Sequence, residues 1–181
     1  MIKGLLKTAV MAGLFLSAQS AQAAIYNFTQ TGFEGGGSIT GSFTGTDLNN
    51  DGFIQGTTFI EGLAEINAFT VSWSGNSTIA AFSQSLSDLT HFSYDTAKNV
   101  LGDVFPEGIA TNWFGQSGFQ YLTGQGVNSF TAGYVGDAAT GVYVETFGLV
   151  NVAAVPVPGA VWLFGSVLAG FLSLKRRQTY V

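Results

Sequence analysis

Ile39-Thr40-Gly41-Ser42-Phe43-Thr44-Gly45 and, further on, Phe69-Thr70-Val71-Ser72-Trp73-Ser74 are the stretches whose reading decides the fold. In the first, Ile39, Gly41 and Phe43 alternate with Ser38, Thr40, Ser42 and Thr44; in the second, Phe69, Val71 and Trp73 alternate with Thr70, Ser72 and Ser74. Successive side chains of an extended chain point to opposite faces, so each stretch offers one apolar and one hydroxyl-bearing face, as a half-buried antiparallel strand does.

The same period recurs outward from these two. Val142 and Val144 face one way, with Tyr143, Glu145 and Phe147 on the other. Further strands are expected over 25–31, 89–94, 109–114, 119–123 and 127–132, parted by turn signals such as Ser74-Gly75-Asn76 and Gly136-Asp137. The stretch 77–88 has mixed periodicity and predicts a short helix or an irregular edge. Gly, Ser, Thr and aromatic residues dominate, Pro106 is the only proline between residues 24 and 154, and there is no cysteine. The core must therefore hold by burial and sheet pairing without disulfides. The expected fold is all-β, an antiparallel β-sandwich or curled sheet, with helix confined to the two terminal hydrophobic segments.

Both ends read as export signals. Lys3 and Lys7 precede an apolar segment, 9–16, and then Ala21-Gln22-Ala23, the layout of a secretory signal peptide with cleavage expected between Ala23 and Ala24. Signal peptidase and the Sec machinery are the implied partners. At the other end, Val155-Pro156-Val157-Pro158-Gly159 leads into a run over 159–174 without a charged residue, followed by Lys175-Arg176-Arg177. The prolines favour an extended entry. As a helix the run reaches about 24 Å, short of the ~30 Å hydrocarbon core, so it spans with thinning and snorkelling of its basic end. The basic cluster marks a cytoplasmic flank and places the preceding polypeptide on the other side. The expected organisation is a signal peptide over 1–23, one exported β-rich domain over 24–154 and a tail over 155–181 with a transmembrane helix near 159–174. A domain of roughly 130 residues is large enough for a single core.

Every acidic residue, from Glu34 to Glu145, lies between the two terminal segments, whereas Lys98 is the only basic residue there. Eleven carboxylates against one lysine give that region a formal charge of −10, against −5 for the whole chain. Such a surface repels phosphate backbones and anionic lipid, which argues against a nucleic-acid partner and favours cations or basic partners.

The Pro-x-Pro signature, the single hydrophobic helix containing Trp162-Leu163-Phe164-Gly165-Ser166 and the terminal basic cluster together resemble the PEP-CTERM sorting tail of Gram-negative envelope proteins. Val157 stands where that tail usually has Glu, the Val-Pro-x-Pro variant. The resemblance implies that an exosortase, a membrane cysteine transpeptidase, recognises the tail near Pro156 and Pro158 and removes it while the ectodomain moves outward. The region from Ile39 to Gly52 and the stretch Phe69 to Asn76 are also similar to β-rich ectodomains found ahead of such tails, a less specific likeness that bears on fold more than on function.

One constellation could carry chemistry. Asp47-Leu48-Asn49-Asn50-Asp51-Gly52-Phe53-Ile54 matches the first half of an EF-hand-type loop, with Asp47, Asn49, Asp51 and the Phe53 carbonyl as calcium ligands. The closing acid is missing, since position twelve is Thr58; Glu61 would serve only in an enlarged loop. A hairpin turn in which Asp and Asn bind their own backbone explains the same residues without a metal.

Catalysis has little footing. The sole histidine, His91, alternates with Phe92 and Tyr94 and reads as a strand-surface residue; there is no cysteine and no Gly-x-Ser-x-Gly. Glu61, Glu65, Asp103 and Glu107 leave a paired-carboxylate glycosidase formally open, without any spacing that brings them together. Gly35-Gly36-Gly37 precedes no Lys-Ser/Thr and reads as a turn. Trp73, Trp113 and the other aromatic residues fit a packed core better than a sugar-stacking face, with Trp113-Phe114 the first pair to suspect if a ligand surface exists. The expected function is that of a non-enzymatic, secreted structural protein of the Gram-negative surface, extracellular matrix or biofilm, with exopolysaccharide as a partner. The alternative is a membrane-anchored adhesion module that binds calcium or carbohydrate.

Overall fold

A computed structural model describes residues 24–58, 64–113, 118–127 and 133–155. The predicted signal segment, Pro156 to Gly159, the predicted membrane helix, the basic cluster, Glu61, Phe114 and residues 128–132 lie outside the described residues. Among the described residues no helix is long and apolar enough to cross a membrane.

The described chain is all-β. Its strands are Ala24–Gln30 (β1), Ile39–Gly45 (β2), Phe53–Thr57 (β3), Ile66–Trp73 (β4), Phe82–Ser85 (β5), Leu89–Asp95 (β6), Val100–Leu101 (β7), Gly108–Thr111 (β8), Phe119–Thr123 (β9), Gly133–Asp137 (β10), Val142–Thr146 (β11) and Val150–Ala154 (β12). A first sheet runs β5-β4-β2-β1-β12-β7 and a second β11-β10-β9-β8-β6-β3, with antiparallel pairing throughout. The two sheets face each other across one apolar interior, as expected of a sandwich.

The alternating stretches build that interior. In the first sheet Tyr26 pairs with Phe43 and Phe43 with Phe69, while Phe28 pairs with Gly41 and Gly41 with Val71, so these rows share the inner face. Gly41 is required there: a Cβ would collide with the Phe28 ring and the Thr70 carbonyl. Across the gap Phe43 packs on Phe92 at 4.6 Å between centroids, and Tyr26 meets Tyr94 edge-on at 5.3 Å. Each large side chain removed from water in this way contributes about 1.5–3 kcal/mol before chain entropy is charged against it.

Local chemistry corrects several expectations. Gly136-Asp137 does not turn; both residues lie in β10, paired with Tyr143 and Val142. The turn follows at 138–141, where Asp137 accepts from the amides of Ala139 (3.0 Å) and Gly141 (2.9 Å) and Gly141 takes φ +68°. Val142 stands 41 % exposed at that open end and does not share the burial of Val144. Strand β8 stops at Thr111, because Asn112 adopts the left-handed φ of +49°. The ambiguous stretch 77–88 holds both expected features. β5 is an edge strand of the first sheet, and a 3-10 turn, Leu86–Asp88, follows it, anchored by the Ser85 amide donating to Asp88 at 2.8 Å.

Candidate functional site

The segment 46–52 carries the chain from β2 in the first sheet to β3 in the second, so it is a sheet-to-sheet connection and not a hairpin turn. Asp47, Asn49 and Asp51 do come together there. Asp47 accepts from the amides of Asp51 (3.2 Å) and Gly52 (2.8 Å), and Asn49 Oδ1 also accepts from the Asp51 amide at 3.0 Å. Asp51 accepts from the Phe53 amide at 2.8 Å and, on its other oxygen, from Asn49 Nδ2 (3.0 Å) and Gln55 Nε2 (2.9 Å). All four carboxylate oxygens of the pair are thus engaged by the turn itself. The second half of the would-be calcium loop is already strand, since β3 starts at Phe53. Among the described residues no group of three or more His, Cys, Asp or Glu side chains is placed to hold a metal ion.

The acid that reaches this connection is Glu65, which the sequence placed only among scattered carboxylates. It is 7 % exposed, and its two oxygens accept from the amides of Leu48 (2.9 Å) and Gln55 (2.8 Å), while its own carbonyl accepts from the Thr46 amide. Glu65 therefore clamps both ends of the connection, with charge-assisted bonds stronger than neutral ones.

Beside the clamp, on the outer face of the second sheet at its β3 edge, lies a cleft of about 480 Å³. Its strand-borne wall comes from Gln55 and Thr57 of β3, paired with Ser93 and His91 of β6. Leu48, Ala64, Glu65 and Pro106 close it from the connecting segments. Alternation along β6 sends Phe92 and Tyr94 inward and His91 and Ser93 outward, as the sequence predicts. What the sequence does not reveal is that the outward pair is covered. Ser93 is 1 % exposed, and both His91 Nε2 and Ser93 Oγ are buried without a hydrogen-bond partner. Burial holds the His91 imidazole below its usual pKa, opposed only in part by a hydrogen bond to the Pro106 backbone. With Nε2 unpartnered, Nδ1 is the nitrogen that faces Pro106, so the neutral ring presents a bare acceptor at Nε2.

Asp103 and Glu107, two of the four acids open to glycosidase chemistry, also converge, but around a cation. Lys98 Nζ lies 2.9 Å from Asp103 and 3.7 Å from Glu107. Glu107 is fully buried and accepts from the amides of Asp95 (3.2 Å) and Gly102 (3.0 Å). Burial, reinforced by the Asp103 contact, raises the Glu107 pKa, whereas the Lys98 hydrogen bond lowers that of Asp103. With its oxygens consumed and no solvent access, Glu107 serves as a structural anchor for the 102–107 turn. Glu65 is not among the groups that bond Lys98, and its oxygens hold the 46–52 connection instead.

Trp73 is a core residue, 1 % exposed, with Nε1 donating to the Ile79 carbonyl at 3.2 Å, and so supplies no ligand surface. Trp113 is half-buried behind β8, its amide 3.4 Å from Thr90 Oγ1. The domain's first and last strands are neighbours: Tyr26 pairs with Ala154, and the Val155 amide donates to the Ile25 carbonyl at 2.8 Å. No family model, no curated protein and no solved structure matches the chain.

Proposed function

We propose that this chain is an exported, non-catalytic β-sandwich protein of a Gram-negative surface or matrix, led out by a signal peptide over 1–23 and sorted by its tail. An exosortase reads residues 155–159 while the helix near 159–174 holds the precursor in the inner membrane, and the domain is then released toward exopolysaccharide. The order of segments carries this reading: a lysine-bearing apolar leader, an acidic sheet domain of formal charge −10, then Pro156-Val157-Pro158, an uncharged run and Lys175-Arg176-Arg177. The positions of the outer strands support it. Strand β12 ends at Ala154, and the Val155 amide, one residue before Pro156, bonds the Ile25 carbonyl of β1. Both cuts would leave the β1–β12 ladder whole.

Mass spectrometry of the native protein from cells with and without exosortase tests the proposal. The expected mature chain starts at Ala24 and lacks Lys175, Arg176 and Arg177 only when the exosortase is present. A chain that ends at Tyr180-Val181 in both strains overturns it. A second reading, an anchored carbohydrate-binding module, is favoured by one observation, the unpartnered polar pair in the cleft.

A further inference from the structure

We infer that the cleft between the 46–49 connection, β3 and β6 is a binding site for an uncharged, hydroxyl-bearing molecule of about one sugar ring, held by His91 Nε2 and Ser93 Oγ. The inference is independent of how the tail is processed. It starts from an imbalance: a buried polar group without a partner costs stability, and native chains rarely tolerate two side by side. Here both lie on one face of one strand, two residues apart, roughly 7 Å along β6. They line the same cleft, whose volume of about 480 Å³ far exceeds a single water's share and falls in the range of small-molecule sites.

The chemistry of the walls selects the ligand. A neutral imidazole whose Nδ1 faces a carbonyl can only accept at Nε2, so the ligand must bring a donor. An anion finds no cation among the described residues of the lining and faces Glu65 within a domain of charge −10. An ammonium group would have to share Glu65 with the two backbone amides its oxygens already hold and would leave the His91 and Ser93 pair no better satisfied than a hydroxyl does, so it stands as the competing outcome of the test below. A zinc-like ion would need about three protein ligands, where the described lining offers one imidazole and one carboxylate already bonded to two amides. A hydroxyl satisfies both atoms, since it donates to Nε2 while another hydroxyl exchanges a hydrogen bond with Ser93 Oγ. Both atoms are closed off in the ligand-free protein, so the hydroxyl reaches them only as the side chains over them give way. The apolar wall from Leu48, Ala64 and Pro106 suits the C–H face of a sugar ring, and Gln55 and Asn49 supply polar rim groups.

Because the chain has one histidine, its imidazole nitrogens give single, unambiguous resonances. The full-length protein, 15N-labelled at histidine and held in a sugar-free detergent, is titrated with glucose, galactose and N-acetylglucosamine. Before addition, Nε2 should report an unprotonated nitrogen without a hydrogen bond. At least one sugar should then move it saturably, with millimolar affinity, toward the hydrogen-bonded position. Ser93→Ala should weaken that affinity about tenfold while leaving the melting curve cooperative. The inference is overturned if Nε2 is protonated or already bonded to water in the free protein, or if no sugar moves it. It also falls if ammonium chloride or inorganic phosphate moves it as well as the sugars do, or if Ser93→Ala binds unchanged.

Discussion

Two buried polar clusters flank the second sheet, one on each face, and they differ in a single respect. On the inner face, Gln30 of β1 is fully buried yet fully engaged: Nε2 donates to Thr123 Oγ1 (3.0 Å) and the Gly148 carbonyl (2.6 Å), and Oε1 accepts from Tyr121 Oη at 2.7 Å. On the outer face, His91 Nε2 and Ser93 Oγ are equally hidden and engage nothing. The first cluster ties two sheets together and leaves no valence for a ligand. The second leaves two valences, on residues that line a cleft. A closed polar network is structure; an open one at a cleft is a site.

The largest effect should come from breaking the closed cluster. Gln30→Met keeps the volume but removes the Gln30 acceptor of the Tyr121 hydroxyl and the amide donor to the Gly148 carbonyl, a loss of about 2–4 kcal/mol in urea unfolding. Burial already pushes the Tyr121 hydroxyl far above its ordinary pKa, so losing the Gln30 acceptor is not relieved by ionisation. Adding Tyr121→Phe should return part of the loss, since the two residues share one network. A neutral Gln30→Met would erase the contrast between the clusters.

Next in size is the ionic cluster at 98–107, closed by a cation. Lys98→Met leaves Glu107 buried without its countercharge, at an expected cost of about 1–3 kcal/mol near neutral pH, discounted for the partial exposure of Lys98. The pH dependence has a definite sign. Glu107 has a raised pKa, so acidification neutralises it first and removes the penalty; Asp103 has a lowered pKa in the wild type, and the stability it draws from Lys98 is lost as pH falls through that value. Both act in one direction, so the gap between variant and wild type should narrow on acidification, read as Tm against pH. A gap that stays constant until Asp103 titrates would mean that Glu107 is already neutral at pH 7, and a gap that widens would contradict the assignment of Lys98 as its countercharge.

How far these clusters could be read in advance follows from where their partners lie. The alternation around Phe43, Val71 and Trp73 and along 89–94 carries its own face assignment, and the sheets bear it out. Period-two patterning says which face a residue takes but not what lies over it. His91 and Ser93 were legible as outward-facing; their covering by Leu48, Glu65 and Pro106 depends on connections remote in the chain. Glu65 was missed for the same reason, since it reaches back 17 residues to the Leu48 amide. Strands β7 and β12 went unread because a two-residue strand has no period, and Val150 to Ala154 sits beside the tail whose composition dominates that region. At Asp47 the residue types were right for a turn as well as for a metal, and only the register of β3 shows how the second half of the segment is used.

The open cluster gives an effect of opposite sign. In Ser93→Ala a buried hydroxyl without a partner becomes a methyl group of similar size, which should raise stability by about 1 kcal/mol in the absence of ligand. Saturating sugar should then reverse the order, because it stabilises the wild type by its binding free energy and the variant by less. Unfolding curves of both proteins with and without sugar read this directly. A variant that is less stable than the wild type even without ligand would place Ser93 in the closed class with Gln30.

The smallest effect, and the sharpest for the comparison, is on acidification below neutral pH. Burial lowers the folded-state pKa of His91, so the unfolded chain binds its proton first. Stability from this residue is complete above about pH 6.5 and is lost as pH falls toward the folded value. A hydroxyl that donates to Nε2 competes with that proton, so sugar affinity should fall in the same window, and bound sugar should lower the His91 pKa further by linkage. His91→Gln should flatten this slope of Tm against pH without touching the carboxylate-driven loss at lower pH. The Gln30 cluster contains no group that titrates there, so Gln30→Met should shift the whole curve down in parallel. If the His91 resonance instead titrates at its ordinary pKa and ignores sugar, the outer cluster is open to solvent water, and the two faces of the sheet differ in exposure alone.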